Sequence, residues 1–284
     1  MKFTKMHGCG NDYIYVNCFK ERIDNPEVLS RALSDRHFGI GSDGMILICP
    51  SDNADFRMQM YNSDGTEGKM CGNGVRCIAK YVYDYGLTDK STISLETKGG
   101  IKYLDMHISD GKVASATVDM GTPVLASELI PVAFPKHQVI NEPLNIGGTE
   151  YKITCVSMGN PHVVVFVSDL SSLDLEHTGP LFEHHPMFPE GVNTEFVELI
   201  DDNTIRMRVW ERGSGETLAC GTGACASVMA CILNGKTGHQ VTVHLLGGDL
   251  EIRHDESSNH VFMRGPATTV FDGEIDIEQC LKKG

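Results

Sequence analysis

Displaced by 149 residues, the 284-residue chain lies over itself without a gap, and one cysteine falls on another: Cys71-Gly72-Asn73-Gly74 aligns with Cys220-Gly221-Thr222-Gly223. The same frame pairs Gly10-Asn11 with Gly159-Asn160, Asp52 with Asp201, Arg57-Met58 with Arg206-Met207, Tyr61 with Trp210, Glu67 with Glu216 and Gly86 with Gly235. A duplication of this extent dictates two related halves, each carrying one thiol at the same place in its fold. Matched residues presented from two halves across a shared cleft can act on both faces of one substrate atom, which is what inversion of a carbon centre needs.

The length suits two domains at roughly 100–200 residues each. The repeat places an N-terminal half at residues 1–120, joined by 268–284 through a last strand around Thr268 to Phe271, and a C-terminal half at 121–267. The Pro-rich stretch Gly121 to His137 reads as the crossover. Thirty Gly and 11 Pro indicate many turns. A formal charge of −14 disfavours nucleic acid or an anionic membrane surface, both of which need clustered Lys and Arg. The segment Met1 to His7 has no apolar signal core and no run reaches the length of a membrane span, so a cytoplasmic protein is expected. The ten cysteines include no Cys-x-x-Cys, and most are expected to be reduced, buried and inert, among them Cys18, Cys49, Cys77, Cys155, Cys225, Cys231 and Cys280.

Alternating or apolar β-rich runs occupy 13–17, 45–49, 56–61, 92–96 and 112–120, with counterparts at 163–167, 194–199, 204–211, 240–245 and 261–263. Each half has one helix opening at its Cys-Gly-x-Gly, over 72–85 and 221–233. Ala224 to Leu233 is apolar or small all round, as in a helix enclosed by other structure. Arg76, Lys80 and Asp84 give the first helix a single narrow polar stripe. These features predict an α/β fold of the α+β kind: two pseudo-symmetric domains, each a mixed or antiparallel sheet wrapped around a central helix, with the active site in the cleft between them. A smaller helix runs from Pro26 to Asp35 with Val28, Leu29, Ala32 and Leu33 inward, and it shows no clear match in the second half.

Cysteines at helix N-termini meet unpaired N–H groups and the positive end of the helix dipole, which predicts thiolates of useful basicity near neutral pH. The same turns offer backbone N–H donors to a carboxylate. One sulfur would remove the α-proton and the other deliver a proton to the opposite face. Gly39 to Gly44 matches G-x-G-x-x-G, but a strand rather than a helix follows it, so it reads as a loop. Gly221 to Ala226 resembles the variant ending in Ala and opens a helix, leaving a nucleotide site as the alternative there. No lysine stands in a Schiff-base context. His184 and His185 read as solvated loop residues without metal-ligand spacing. His162 either faces the cleft or packs behind it.

The run Asn62-Ser63-Asp64-Gly65-Thr66-Glu67 leading to Cys71-Gly72-Asn73-Gly74-Val75-Arg76 resembles the signature of the diaminopimelate epimerase family. Gly8 to Asp12, Met158 to His162, Gly191 to Thr194 and Glu211 to Thr217 extend the resemblance over essentially the whole chain. It implies a cofactor-independent isomerase interconverting LL- and meso-2,6-diaminopimelate for lysine and peptidoglycan precursor synthesis. It implies no metal, and a homodimer. By motif, Cys71 and Cys220 would be the acid–base thiols, supported by His162 and Glu211. Substrate would be bound by Asn11, Asn62, Asn160, Asn193, Glu211 and Arg212, and by the backbone of Gly72, Asn73, Gly221 and Thr222. A Gln is common in the family where Gly44 stands, so a side-chain contact there would be lost. Thr66 stands where Ser is commoner, a change of small consequence. A two-thiol proline racemase or hydroxyproline epimerase is the alternative within the same chemistry, and a thiol redox or ligand-binding protein the alternative outside it.

Overall fold

The computed structural model describes residues 1–281 and divides into two compact units, one of Met1–Val118 with the segment from Gly265 onward, the other Asp119–Arg264. The first is built from β1 (Lys2–Gly8), β2 (Asn11–Asn17), α1 (Pro26–Ser34), β3 (Gly44–Cys49), β4 (Phe56–Asn62), β5 (Glu67–Gly68), α2 (Gly72–Asp84), β6 (Thr92–Thr97), β7 (Gly100–Ser109) and most of β8 (Lys112–Gly121). Its strands follow the order Thr268–Glu274, β1, β2, β3, β4, β6, β7, β8, with β2–β3 and β4–β6 parallel and the other assigned neighbours antiparallel.

The second unit has β9 (Glu142–Ile146), β10 (Thr149–Ser157), β11 (Pro161–Phe166), α3 (Leu175–Glu183), β12 (Asn193–Asp201), β13 (Thr204–Glu211), β14 (Gly215–Thr217), α4 (Gly221–Leu233), β15 (Gln240–Leu245), β16 (Gly248–Asp255) and β17 (His260–Pro266). The order is β9, β10, β11, β12, β13, β15, β16, β17, with parallel steps again at the third and fifth pairs. The fold is therefore sheet-dominated α+β, made twice. No described helix is long and apolar enough to cross a membrane.

Each sheet curls around its helix. α2 packs on β1, β2 and β7, and α4 on β10, β11, β12, β13 and β16, so strands from distant parts of one sheet close on a single apolar rod. Ala224, Cys225, Ala226, Val228, Ala230 and Cys231 are all fully buried, as a helix small and apolar on every face requires. The polar stripe on α2 is largely covered too. Arg76 is 0% exposed and donates to the carbonyls of Gly72 (3.1 Å) and Pro266 (3.3 Å) and to Asn73 Oδ1 (2.8 Å). Lys80 pairs with Asp84 at 2.7 Å and donates to the Val113 carbonyl at 2.7 Å. Polar side chains are tolerated under a sheet because each finds a partner there.

The smaller helix does have a partner. α3 begins and ends at the positions that the repeat offset assigns to α1. Four inward residues correspond pairwise: Leu29 with Thr178, Ser30 with Gly179, Leu33 with Phe182 and Ser34 with Glu183. The Gly179-Pro180 pair inside α3 hides the helix from a propensity reading, since both residues ordinarily disrupt helices. Gly179 is needed where the backbone meets Trp210, whose ring lies 2.3 Å from where a Cβ would stand. Asp174 caps the helix by accepting from the His177 N–H at 3.1 Å. In α1 the buried face is Leu29, Ser30, Leu33 and Ser34. Ser30 turns inward to donate to the carbonyls of Tyr61 and Asn62, which leaves Val28, expected inside, 47% exposed.

Gly44 has a local cause. A Cβ there would lie 2.1 Å from the Tyr61 carbonyl oxygen and 2.9 Å from the Tyr13 ring, so this backbone leaves no room for a side chain. Gly44→Ala should destabilise the protein by about 1–3 kcal/mol through overpacking. Thermal unfolding would show it, and an unchanged midpoint would mean that β3 and β4 move apart freely.

Candidate active site

Both motif cysteines stand at the position before the first helical residue. Cys71 (φ −129°, ψ 119°) caps α2 by accepting from the Gly74 N–H at 3.3 Å. Cys220 (φ −122°, ψ 110°) caps α4 by accepting from the Gly223 N–H at 3.4 Å. A thiol here replaces the usual hydroxyl or carboxylate cap. Gly72 and Asn73 hold the first N–H positions of α2 and Gly221 and Thr222 those of α4, where a helix offers no acceptor of its own.

Around Cys71, the thiol donates to Asn11 Oδ1 at 3.2 Å, and Asn73 Nδ2 donates to the same oxygen at 3.4 Å. Asn11 Nδ2 donates to Asp43 Oδ2 at 2.8 Å, and a carboxylate can only accept, so Asn11 is fixed with its oxygen toward the thiol. Arg36 bridges Asp43 (2.9 Å) and Asp12 (3.1 Å), and Lys5 pairs with Asp12 at 2.6 Å. Burial, with Asp12 beside it, raises the Asp43 carboxyl. Against the cost of burial, Lys5 and Arg36 hold Asp12 below the usual carboxylate range. Tyr13, buried beside Asn11 and Cys71, has its hydroxyl pushed well up by burial and by Cys71 and Asp43. Asn62 donates from Nδ2 to Thr66 Oγ1 at 3.0 Å at the end of β4, apart from this group of bonds.

Around Cys220, Thr222 Oγ1 lies 3.5 Å from the sulfur. His162 is fully buried, with Nδ1 2.7 Å from Glu195 Oε1 and Nε2 3.0 Å from Asn160 Oδ1. Glu211 accepts from Thr217 Oγ1 at 2.5 Å. Asn193 donates to the Pro161 carbonyl at 3.0 Å and accepts from the Arg212 N–H at 2.9 Å, tying β11 to the turn after β13. Arg212 extends into solvent and donates to the Glu190 carbonyl at 2.8 Å.

The electrostatics of Cys220 differ from the helix-end expectation. Burial first, then the Glu211 carboxylate, push this thiol well above its ordinary value. The dipole of one helix, worth about 0.3–1 kcal/mol, does not offset desolvation together with a nearby carboxylate. Cys220 rests as a thiol. Among the other cysteines, burial pushes up Cys77, Cys155 and Cys231, as expected of inert core thiols. Cys49 is buried as well, and hydrogen bonding from the Cys18 thiol, with Arg57 beside it, lowers it in spite of that burial. His184 is exposed and His185 half-buried, its Nδ1 accepting from the Met187 N–H at 3.2 Å.

Sequence reasoning missed Asp43, Tyr13 and Glu195. The repeat itself points to Tyr13, which occupies the place of His162, whereas Glu195 falls on Ile46 and has no polar counterpart.

A fold made twice, with one cysteine capping the enclosed helix of each copy, defines the class. It is the fold of a hydroxyproline epimerase of Agrobacterium vitis, with a TM-score of 0.67 at 16% identity covering 97% of this chain and 90% of that one. A Bacillus anthracis phenazine biosynthesis protein of the PhzF family shares it, with a TM-score of 0.71 at 17% identity covering 97% and 99%. The family model described as diaminopimelate epimerase matches residues 3–126 and 154–270. A diaminopimelate epimerase of Agathobacter rectalis is 61% identical over 284 residues, spanning 98% of this chain and the whole of that protein. The chain belongs to the diaminopimelate epimerase family.

Proposed function

We propose that this protein interconverts LL- and meso-2,6-diaminopimelate without a cofactor, Cys71 and Cys220 each exchanging one proton with the substrate's α-carbon. The observation that carries this reading is the identical placement of two thiols as helix caps in two copies of one fold. The N–H groups of Gly72, Asn73, Gly221 and Thr222 would hold the carboxylate at the reacting end, and Glu211 and His162 would support proton transfer. Asn11, Asn62, Asn160, Asn193, Glu211 and Arg212 would bind the rest of the substrate, which carries an amino and a carboxylate group at each end. In deuterium oxide, LL-diaminopimelate should acquire one solvent deuterium at an α-carbon as meso product appears. Exchange with proline or hydroxyproline instead would replace this assignment with the alternative two-thiol chemistry. Working thiols require a reducing compartment, which supports a cytoplasmic site of action, and the dimer implied by the family is tested by mass in solution.

Arg212→Lys tests the far end of the substrate. Lys keeps the charge but cannot form the two parallel bonds of a guanidinium on a carboxylate. Loss of one charge-assisted bond, about 1.5–3 kcal/mol, should lower kcat/KM by about 10- to 100-fold, mostly through KM. Unchanged constants would remove Arg212 from substrate binding.

A further inference from the structure

Beneath the first turn of each enclosed helix the duplicated fold makes the same close contact with opposite chemistry. A Cβ at Gly74 would lie 2.7 Å from the Ile46 methyl, and a Cβ at Gly223 would lie 2.6 Å from Glu195 Oε1. The position behind the thiol is hydrocarbon in one half and a carboxyl group in the other. Glu195 is 0% exposed, and its Oε2 has no hydrogen-bond partner.

The bonds leading away from Glu195 constrain its proton. His162 Nε2 faces Asn160 Oδ1 at 3.0 Å, and a carbonyl oxygen only accepts, so Nε2 carries hydrogen. The 2.7 Å contact between Nδ1 and Glu195 Oε1 then needs one proton, on the imidazole or on the acid. An ionised carboxylate would leave one bare oxygen in the core, far costlier than the same oxygen in a neutral acid. Burial, although opposed by His162 and reinforced by Glu211, raises the Glu195 carboxyl. The groups facing this pair are Cys220 from α4, Glu211 from β13 and Cys155 from β10, and none of them supplies a cation.

We propose that Glu195 is a positioning residue, a buried carboxylic acid that donates to His162 Nδ1, fixes the Nε2–H tautomer, and so clamps Asn160 by its oxygen with the amide nitrogen turned to the substrate. The two equivalent asparagines thereby receive opposite polarity. Asn11 is held through its nitrogen by Asp43 and presents its oxygen, while Asn160 is held through its oxygen and presents its nitrogen. A duplicated site that must bind one asymmetric centre gains a donor on one side and an acceptor on the other. The inference rests on Asn160 meeting substrate, as in the function proposed above.

The test uses the full-length protein labelled with 15N-histidine. In the wild type at neutral pH, His162 should appear as a neutral ring protonated on Nε2. Glu195→Gln, whose amide can donate to Nδ1, should preserve that signature and most of the activity. Glu195→Ile, which installs the residue of the equivalent position, should release the tautomer and lower kcat/KM by about 10²-fold, the scale of a misplaced binding group. An imidazolium or an Nδ1–H ring in the wild type overturns the proposal, as does full activity in Glu195→Ile or a loss in the Gln variant as deep as in the Ile variant. Should Glu195→Ile fail to fold, the wild-type and Gln spectra decide. Absence of solvent exchange with diaminopimelate in the wild type would instead refute the functional reading, and the ring signature, read without substrate, separates the two failures.

Discussion

Cys220→Ala should fold normally and lose almost all epimerase activity. Proton transfer by a placed side chain accounts for about 10²–10⁴-fold of rate, and here no second group replaces it, because inversion needs a donor on one face and an acceptor on the other. Cys71→Ala should lose as much, although its surroundings differ. The measurement is conversion of LL to meso isomer, with circular dichroism to confirm the fold. Half-maximal activity in either variant would end the two-thiol mechanism. Cys220 rests as a thiol, raised by burial and by Glu211, so the pair need not be two thiolates. A thiol in one half can serve as donor while the other half supplies the base.

The largest effect on stability is expected at Arg76. This side chain is fully buried and bonds the Gly72 carbonyl, the Pro266 carbonyl and Asn73 Oδ1. Arg76→Ala opens a void and strands those acceptors, each at about 1–3 kcal/mol if left unsatisfied, for a total of about 3–5 kcal/mol, as when one member of a buried charged network is removed. Urea unfolding should show a lower midpoint at unchanged slope. A loss below about 1 kcal/mol would mean that water satisfies the site. The same variant should impair catalysis in whatever fraction stays folded, because Arg76 holds Asn73, the neighbour of Cys71 in the first turn of α2.

Much of this was legible because the duplication is undamaged where the chemistry lies. The two Cys-Gly-x-Gly helices could be read from spacing and from the all-apolar run after Cys220. Two of the strands that escaped notice have patterns that other forces mask. β7 buries only Leu104 and Met106, and β1 carries Lys5, which is buried only because Asp12 lies 2.6 Å away on the next strand. Glu195 looked like one polar residue in an alternating strand. Its burial depends on His162, 33 residues earlier, and periodicity cannot report such a pairing. The thiol electrostatics failed for a related reason: a helix end is visible in sequence, but the carboxyls that gather behind it are not.

The outermost strand of the first sheet, Thr268–Glu274, pairs with β1, whereas the second unit takes its corresponding strand, β9, from residues just before β10. The Met1 amino group also donates to the Ile275 carbonyl at 2.8 Å. On a ribosome, which releases domains from the N-terminus onward, the order of completion is thus reversed. The half synthesised second can close its sheet first, while the half synthesised first waits, with β1 an open edge, until the Thr268–Glu274 strand has emerged. Such an edge invites pairing with other chains, so the interval between synthesis of the second unit and arrival of that strand is the period when a nascent chain of this protein is most exposed to misassembly.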